Sequence, residues 1–112
     1  MKRLTVLLAV LLIVFLPVTY AAEPDRVMDM AGLLTSSEEE ELRGQIADIA
    51  REYQFDAVIV TADSLNGKTA QEYADDYFDY NGYGYGEDYD GVLLLISMEY
   101  RDWAISTCGR GQ

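Results

Sequence analysis

Apolar residues along this chain follow two kinds of pattern, one periodic and one continuous. In the stretches 38–53 and 70–78, apolar side chains recur every three or four positions, which is the period of an amphipathic helix. After each of these stretches comes a nearly continuous apolar run, at 57–62 and at 92–98, that is too short to be a helix. The pattern therefore predicts two amphipathic helices that alternate with two buried strands.

Both predicted helices begin with a polar capping signal. Thr35 is followed three residues later by Glu38, and Thr69 is followed in the same way by Glu72. In this arrangement the threonine hydroxyl and the glutamate carboxylate bind opposite backbone N–H groups. Glu38 also opens a run of four glutamates, and the helix macrodipole favours negative charge at that end. We therefore interpret the glutamate run as helix-terminal charge and not as a ligand cluster.

The remaining segments complete a small sheet. Residues 23–30 are mixed in character and contain a proline, so we expect an extended lead-in there. A turn at 99–102 leads into a third strand at 103–108, which should form a hairpin with the strand before it. Strands joined by a crossover helix should be parallel, whereas the hairpin pair should be antiparallel. The order helix, strand, helix, strand, strand predicts the α/β class, as a small α/β/α layer with a mixed sheet.

The start of the chain has the composition of an export signal. Two basic residues precede an uncharged apolar run at 4–16, and the small residues before Ala22 suit a signal-peptidase site. We expect residues 1–21 to be removed, leaving one domain at 22–112 in an extracytoplasmic location that is secreted, periplasmic or at the cell surface. The alternative is an uncleaved anchor, because the uncharged stretch is just long enough to span a bilayer.

Charge and rare residue types narrow the range of functions. Without Lys2 and Arg3, six basic residues face 20 acidic ones, a net charge of 6 − 20 = −14. Nucleic acid and anionic membrane surfaces would repel such a protein, so cations and basic proteins remain as partners. The chain has no histidine and a single cysteine, Cys108. An intrachain disulfide, histidine-based nucleophile pairs and histidine-ligated zinc are therefore excluded.

The loop at 83–91, which we call the acidic glycine loop, carries the strongest candidate chemistry. Its glycines allow unusual backbone turns, while Glu87, Asp88 and Asp90 supply hard oxygen donors of the kind that divalent cations bind. It differs from a dinucleotide-binding loop, which follows a strand and opens a helix, and from a calcium-binding EF-hand loop, whose sixth position would here be Leu93. The interpretation that remains is a nonstandard cation site with oxygen ligands.

The position of this loop raises one difficulty. In α/β sheets, ligands gather outside the carboxyl ends of the strands, where the loop with Asp63 and Ser64 is expected. The acidic glycine loop instead enters the amino end of its strand. If the strands are parallel, only a loop that folds back could bring Asp63 and Asp90 together.

Several short motifs, taken in order, resemble the TPM domain family. The motifs are Val27-x-Asp29-x-Ala31-Gly32-Leu33-Leu34-Thr35, then 58–61 with Ser64-Leu65-x-Gly67, then Tyr83-Gly84-x-Gly86 with 90–95, and finally Arg101 with Gly109-x-Gly111. The resemblance covers residues 25–112. It implies an extracytoplasmic α/β/α domain, a divalent-cation site of loop aspartates and, in some members, a weak acid phosphatase activity.

Carried onto this chain, the resemblance implies a metal site made of Asp29 and Asp90, with Asp88 as a neighbouring ligand. The family's Asp-Asn-Gly before the strand is here Tyr89-Asp90-Gly91, so one ligand position is shifted. Oxygen-only ligands flanked by glycine suit calcium better than a transition metal. The resemblance also implies a further helix beyond the position of Gln112, so one helical layer is expected to be incomplete.

Two classes of function follow from this interpretation. As an enzyme, the domain would be a metal-assisted phosphomonoester hydrolase. Catalysis is not the main expectation, because the nearest basic residues that could hold a phosphate lie outside the loop, at Lys68, Arg101 and Arg110. The alternative is a non-catalytic interaction module that docks on a membrane or envelope protein complex. Its contact surface would be the tyrosine-rich loop, with Tyr80, Tyr83, Tyr85 and Tyr89. The same tyrosines are equally compatible with ordinary half-buried packing.

Overall fold

A computed structural model describes residues 23–112, so the expected signal segment at 1–21 and its cleavage site lie outside the described residues. The elements are β1 Val27–Asp29, α1 Ser36–Tyr53, β2 Asp56–Ala62, α2 Ala70–Tyr80, β3 Gly91–Ser97 and β4 Asp102–Cys108, followed by a 3₁₀ turn at Gly109–Gly111. Among the described helices, neither has the length and apolar character needed to cross a membrane.

The four strands form one mixed sheet in the order β1-β2-β3-β4. β1, β2 and β3 run parallel, and β4 is antiparallel to β3. The predicted α/β class with a mixed sheet is therefore confirmed. One element was not predicted as a strand: the lead-in forms β1, because Val27 and Asp29 pair with Ile59 and Thr61 of β2.

Both helices begin at the predicted threonines. Thr35 Oγ1 accepts a hydrogen bond from the Glu38 N–H, and Glu38 Oε1 accepts one from the Thr35 N–H, so the first capping box is complete. At α2, the Thr69 hydroxyl accepts a hydrogen bond from the Glu72 N–H, but the Glu72 carboxylate does not bind the Thr69 N–H in return, so the second predicted capping box is only half present. Caps of this kind stabilise a helix by about 1 kcal/mol each.

The main core lies between α2 and one face of the sheet. Residues that pair across neighbouring strands point to the same face, so Val60, Leu95 and Ala104 share this face, and all three are buried. The apolar side of α2 closes the core with Ala70, Tyr73, Ala74, Tyr77 and Phe78. Three aromatic residues of α2, Tyr73, Tyr77 and Phe78, therefore belong to the core, whereas Tyr80 at the end of the helix is exposed.

The opposite face of the sheet is covered only in part. Helix α1 approaches β1 and β2 closely but neither β3 nor β4. Val27 on this face is buried, whereas Trp103 and Ile105 of β4 are 65% and 43% exposed. Together with Leu94 and Ile96 of β3, these two residues form a two-strand apolar surface that we call the open strip.

Candidate functional site

The three aspartates predicted as cation ligands do not lie together. Asp29 pairs with Thr61 near the carboxyl end of β2, whereas Asp90 precedes Gly91, which pairs with Asp56 at the amino end of β2. Thr61 and Asp56 are five residues apart, roughly 17 Å along a strand. Anywhere in residues 23–112, no three acidic or cysteine side chains gather closely enough to hold a metal ion. The predicted ligand set therefore does not form a single site.

Asp29 holds the turn that follows β1. Its Oδ1 accepts hydrogen bonds from the Leu33 N–H at 2.8 Å and the Thr61 hydroxyl at 2.6 Å, and its Oδ2 accepts one from the Leu34 N–H at 2.8 Å. The Thr61 hydroxyl, helped by the backbone N–H groups, keeps the pKa of Asp29 below its ordinary value. These three donors leave about one of the four acceptor sites of the carboxylate for a cation.

A buried ion pair, which the sequence analysis missed, anchors the acidic glycine loop. Asp56, whose side chain is 6% exposed, accepts two hydrogen bonds from the Arg26 guanidinium at 3.1 and 3.2 Å. Its Oδ2 also accepts the Gly84 N–H at 2.9 Å. Gly84 has a φ of 110°, and a Cβ there would come within 2.6 Å of Tyr89, so only glycine fits. The one feature of the sequence that could have indicated this ion pair is Asp56, a single acidic residue at the start of an apolar strand.

Tyr83 anchors the same loop to the core. It is 2% exposed, and its hydroxyl donates a hydrogen bond to the Asp25 carbonyl. The Arg26 guanidinium lies 5.4 Å from the centre of its ring. Burial raises the pKa of Tyr83 to about 12. Of the four tyrosines considered as a contact surface, this one belongs to the core, and the other three are exposed, namely Tyr80, Tyr85 and Tyr89.

The tip of the acidic glycine loop is a short hairpin. Tyr85 and Asp90 exchange two backbone hydrogen bonds of 3.0 and 3.1 Å, and the Tyr89 N–H donates to the Gly86 carbonyl at 3.3 Å. Asp88 is exposed in this turn, and none of the described residues donates a hydrogen bond to its carboxylate. Asp88 and Asp90 therefore lie in one tight turn at the amino end of the sheet.

Asp90 is bound by Arg110. The backbone N–H of Arg110 donates to Asp90 Oδ1 at 2.8 Å, and its Nε donates to Oδ2 at 3.1 Å. Both contacts, the backbone one foremost, lower the pKa of Asp90. The same guanidinium donates through Nη2 to the carbonyls of Tyr53 and Gln54 at 3.0 and 2.8 Å. We call the Asp90 carboxylate and these two carbonyls the oxygen cage.

Gly109 permits the close approach between the 3₁₀ turn and Asp90. Its φ is 57°, a left-handed conformation that favours glycine. A Cβ at this position would overlap Asp90 Oδ1 and come within 2.9 Å of the Asp88 carbonyl oxygen. The first glycine of the Gly-x-Gly motif is therefore required by the geometry around Asp90.

A cavity of about 670 Å³ lies between α1 and the acidic glycine loop. All three arginines that line it are already paired, Arg26 with Asp56, Arg51 with Asp48, and Arg43 with Asp25 through hydrogen bonds of 2.9 and 3.0 Å. A phosphate could bind these guanidinium groups only by breaking an existing ion pair. The cavity thus offers little free positive charge for a phosphorylated substrate.

Comparison with known proteins gives the following matches. The family model described as the TPM domain matches residues 27–112. No curated protein matches the chain. The solution NMR structure of the N-terminal domain of a P. gingivalis protein is similar, with 24% identity and a TM-score of 0.66 over 76% of this chain and 54% of that one. The solution NMR structure of the N-terminal domain of a Corynebacterium glutamicum protein has 21% identity and a TM-score of 0.62 over 82% of this chain and 59% of that one.

At these identities the structural likeness concerns the fold alone. The chain spans little more than half the length of each of the two structures.

Proposed function

The chain belongs to the TPM domain family, and from this premise we propose that it binds a divalent cation, calcium by preference, through the acidic glycine loop. Asp88 and Asp90 are the proposed carboxylate ligands. The observation that carries the proposal is that both lie in one tight turn at an exposed end of the sheet. Asp29 takes no part, because its oxygens are already bound by neutral donors of the turn after β1.

The chemistry of the donor set supports a weak calcium site. Carboxylate and backbone carbonyl oxygens are the ligands that calcium prefers, and the excess of acidic residues in the domain attracts cations. Calcium sites of high affinity use more than two carboxylates. We therefore expect a dissociation constant on the order of 10⁻⁴ to 10⁻³ M, as in extracellular calcium-binding modules.

Calorimetric titration of the purified protein with calcium tests this proposal. Asp90→Asn keeps the size of the side chain but removes its charge, so it should weaken binding at least about tenfold. Asp63→Asn removes the same charge from the exposed loop after β2 and should bind calcium like the wild type. Equal affinities for wild type and Asp90→Asn would contradict the assignment of Asp90.

Weak phosphomonoester hydrolysis is the enzymatic form of the same proposal. A bound cation would polarise the phosphoryl oxygens, and a basic group beside it would hold the phosphate. Arg110 contacts Asp90 in the structure, and its guanidinium, once released from that carboxylate, is the candidate for this second role. At a calcium concentration that just saturates the wild type, hydrolysis of para-nitrophenyl phosphate should then fall in Asp90→Asn in proportion to its lower metal occupancy. Equal trace hydrolysis in both proteins would count against catalysis at this site.

Docking on a membrane or envelope protein complex is a second candidate function, favoured by the open strip. Large exposed apolar side chains on neighbouring strands are typical of interaction surfaces. Trp103 is the single tryptophan of the chain, so its fluorescence reports directly on the strip. Addition of solubilised envelope complexes should shift its emission to shorter wavelength, and Ile105→Ser should reduce the shift. An unchanged emission spectrum would contradict docking at this surface.

A further inference from the structure

We infer that the Arg110 side chain competes with the divalent cation for the oxygen cage, so that cation binding releases this side chain from Asp90 and from the end of α1. The inference rests on the proposed function, because both concern the carboxylate of Asp90. It adds a regulatory contact: in the absence of the cation, the chain's own guanidinium occupies the ligand oxygens.

The oxygen cage is built around a positive charge. Asp90 Oδ2, the Tyr53 carbonyl and the Gln54 carbonyl each accept a hydrogen bond from the Arg110 guanidinium, at 3.1, 3.0 and 2.8 Å. The two carbonyls belong to the last turn and the C-cap of α1, where the helix macrodipole is negative. A carboxylate with backbone carbonyls is also a typical calcium ligand set. One of the two proposed calcium ligands, the Asp90 carboxylate, thus already holds a cationic side chain.

The two partners of this ion pair differ in how firmly they are held. The Asp90 side chain is 15% exposed, and its backbone is fixed on both sides by hydrogen bonds with Tyr85 and with the Asp56 N–H. The Arg110 side chain is 61% exposed. Exposed ion pairs contribute little stability, so water can solvate the released guanidinium at small cost. An incoming cation therefore displaces an exposed side chain from a fixed carboxylate.

Simultaneous occupancy is unfavourable for electrostatic reasons. A divalent cation bound to Asp90 Oδ2 would lie within about 4 Å of the guanidinium in its present position, where the two positive charges repel. The backbone N–H of Arg110 can remain on Asp90 Oδ1, since it carries no net charge. Cation binding thus displaces only the Arg110 side chain, and the 3₁₀ turn stays in place beside the acidic glycine loop.

The test is a titration with calcium alone of the wild type, Arg110→Gln and Arg101→Gln. Arg101 lies in the exposed turn between β3 and β4, at the other end of these strands, so its replacement is a matched control for loss of one positive charge. We expect the affinity for calcium to rise about tenfold in Arg110→Gln and by less than about twofold in Arg101→Gln, where distance and salt screen the charge. In the wild type, the Arg110 Nε–H NMR signal should shift as calcium is added.

The outcomes separate the two claims. Calcium binding of equal or lower affinity in Arg110→Gln than in the wild type overturns the inference and leaves the proposed function in place. No binding in any of the three proteins overturns both. Binding in Arg110→Gln alone would support competition by Arg110 but would contradict the proposed function, because the wild type would then bind no calcium. Arg110→Lys keeps the charge but loses the forked hydrogen bonds of the guanidinium, so its gain in calcium affinity should be smaller than that of Arg110→Gln. A gain in Arg110→Lys equal to that in Arg110→Gln would overturn competition by charge.

Discussion

Aspartates at the two ends of the parallel strands lie in opposite electrical surroundings. At the carboxyl end, Asp29 accepts hydrogen bonds from two backbone N–H groups and the Thr61 hydroxyl, all of them neutral. At the amino end, Asp90 is bound by both the backbone N–H and the guanidinium of Arg110, so a positive charge is among its donors. Neutral donors stabilise the charged form of Asp29 in a fixed turn, whereas one of the contacts of Asp90 is with a positively charged side chain. The same residue type therefore has a structural role at one end and a proposed binding role at the other.

The largest loss of stability should come from removing the positive charge of Arg26, which pairs with Asp56 at the amino end of β2. Arg26→Met leaves Asp56 buried without its ion-pair partner, and we expect the free energy of unfolding to fall by about 3 kcal/mol. Urea unfolding measures this loss. The control is Arg43→Met, which breaks a pair with Asp25 whose side chains are both about two-fifths exposed and should cost less than about 1 kcal/mol. Similar losses in the two variants would refute the anchoring role of Arg26.

At the carboxyl end, the corresponding change is Thr61→Val. It removes a buried hydroxyl that donates to Asp29 and accepts from the Ala31 N–H, so stability should fall by about 1–2 kcal/mol. Thr107→Val changes an exposed threonine of β4 and serves as the control. If Thr61→Val proves as stable as Thr107→Val, the turn does not depend on this hydroxyl.

The pH dependence of Thr61→Val follows from the lowered pKa of Asp29. Because the folded-state pKa lies below the ordinary value, the contribution of Asp29 is complete above about pH 3.9 and is lost as the pH falls through the folded-state pKa. The stability difference between wild type and Thr61→Val should therefore shrink in acid, which urea unfolding at pH 7 and pH 3 can measure. A difference that stays constant would show that Asp29 ionisation is not coupled to Thr61.

The smallest effect should come from Gly109→Ala. Alanine in this left-handed conformation costs about 1 kcal/mol, and its Cβ would also push against Asp90 Oδ1. Gly32→Ala has a similar φ of 66° but open space around the Cβ, so it isolates the backbone cost. In Gly109→Ala, loss of the contact between the Arg110 N–H and Asp90 should raise the pKa of Asp90, whereas Gly32→Ala should leave this pKa unchanged. NMR of the Asp90 carboxyl group measures the pKa. An unchanged pKa would mean that Gly109 does not position this contact.

The secondary structure was largely predictable from the sequence because it depends on local patterns. Capping at Thr35 and Thr69 and the apolar periods identified both helices, and the continuous runs identified the two central strands. Strand β1 was missed as a strand because three residues are too few to show a period. Its backbone becomes a strand only by pairing with β2, which is a tertiary event.

The candidate site was less predictable because its contacts join distant parts of the chain. Arg26 and Asp56 are 30 residues apart, and Asp90 and Arg110 are 20 residues apart. No local spacing encodes such pairs. The separation of Asp29 from Asp90 follows once β1 is recognised as a strand parallel to β3. Asp29 is the last residue of β1, whereas Asp90 directly precedes the first residue of β3, so the two lie at opposite ends of the sheet.

The central claim is that a divalent cation binds at the amino end of the sheet and not at Asp29. Backbone amide NMR during a calcium titration tests it directly, because the two ends carry separate reporters. We predict saturable shifts of the amides at 86–90 and of Arg110, with the Leu33 and Leu34 amides unchanged. Shifts at Leu33 and Leu34 without shifts at 86–90 would contradict the account.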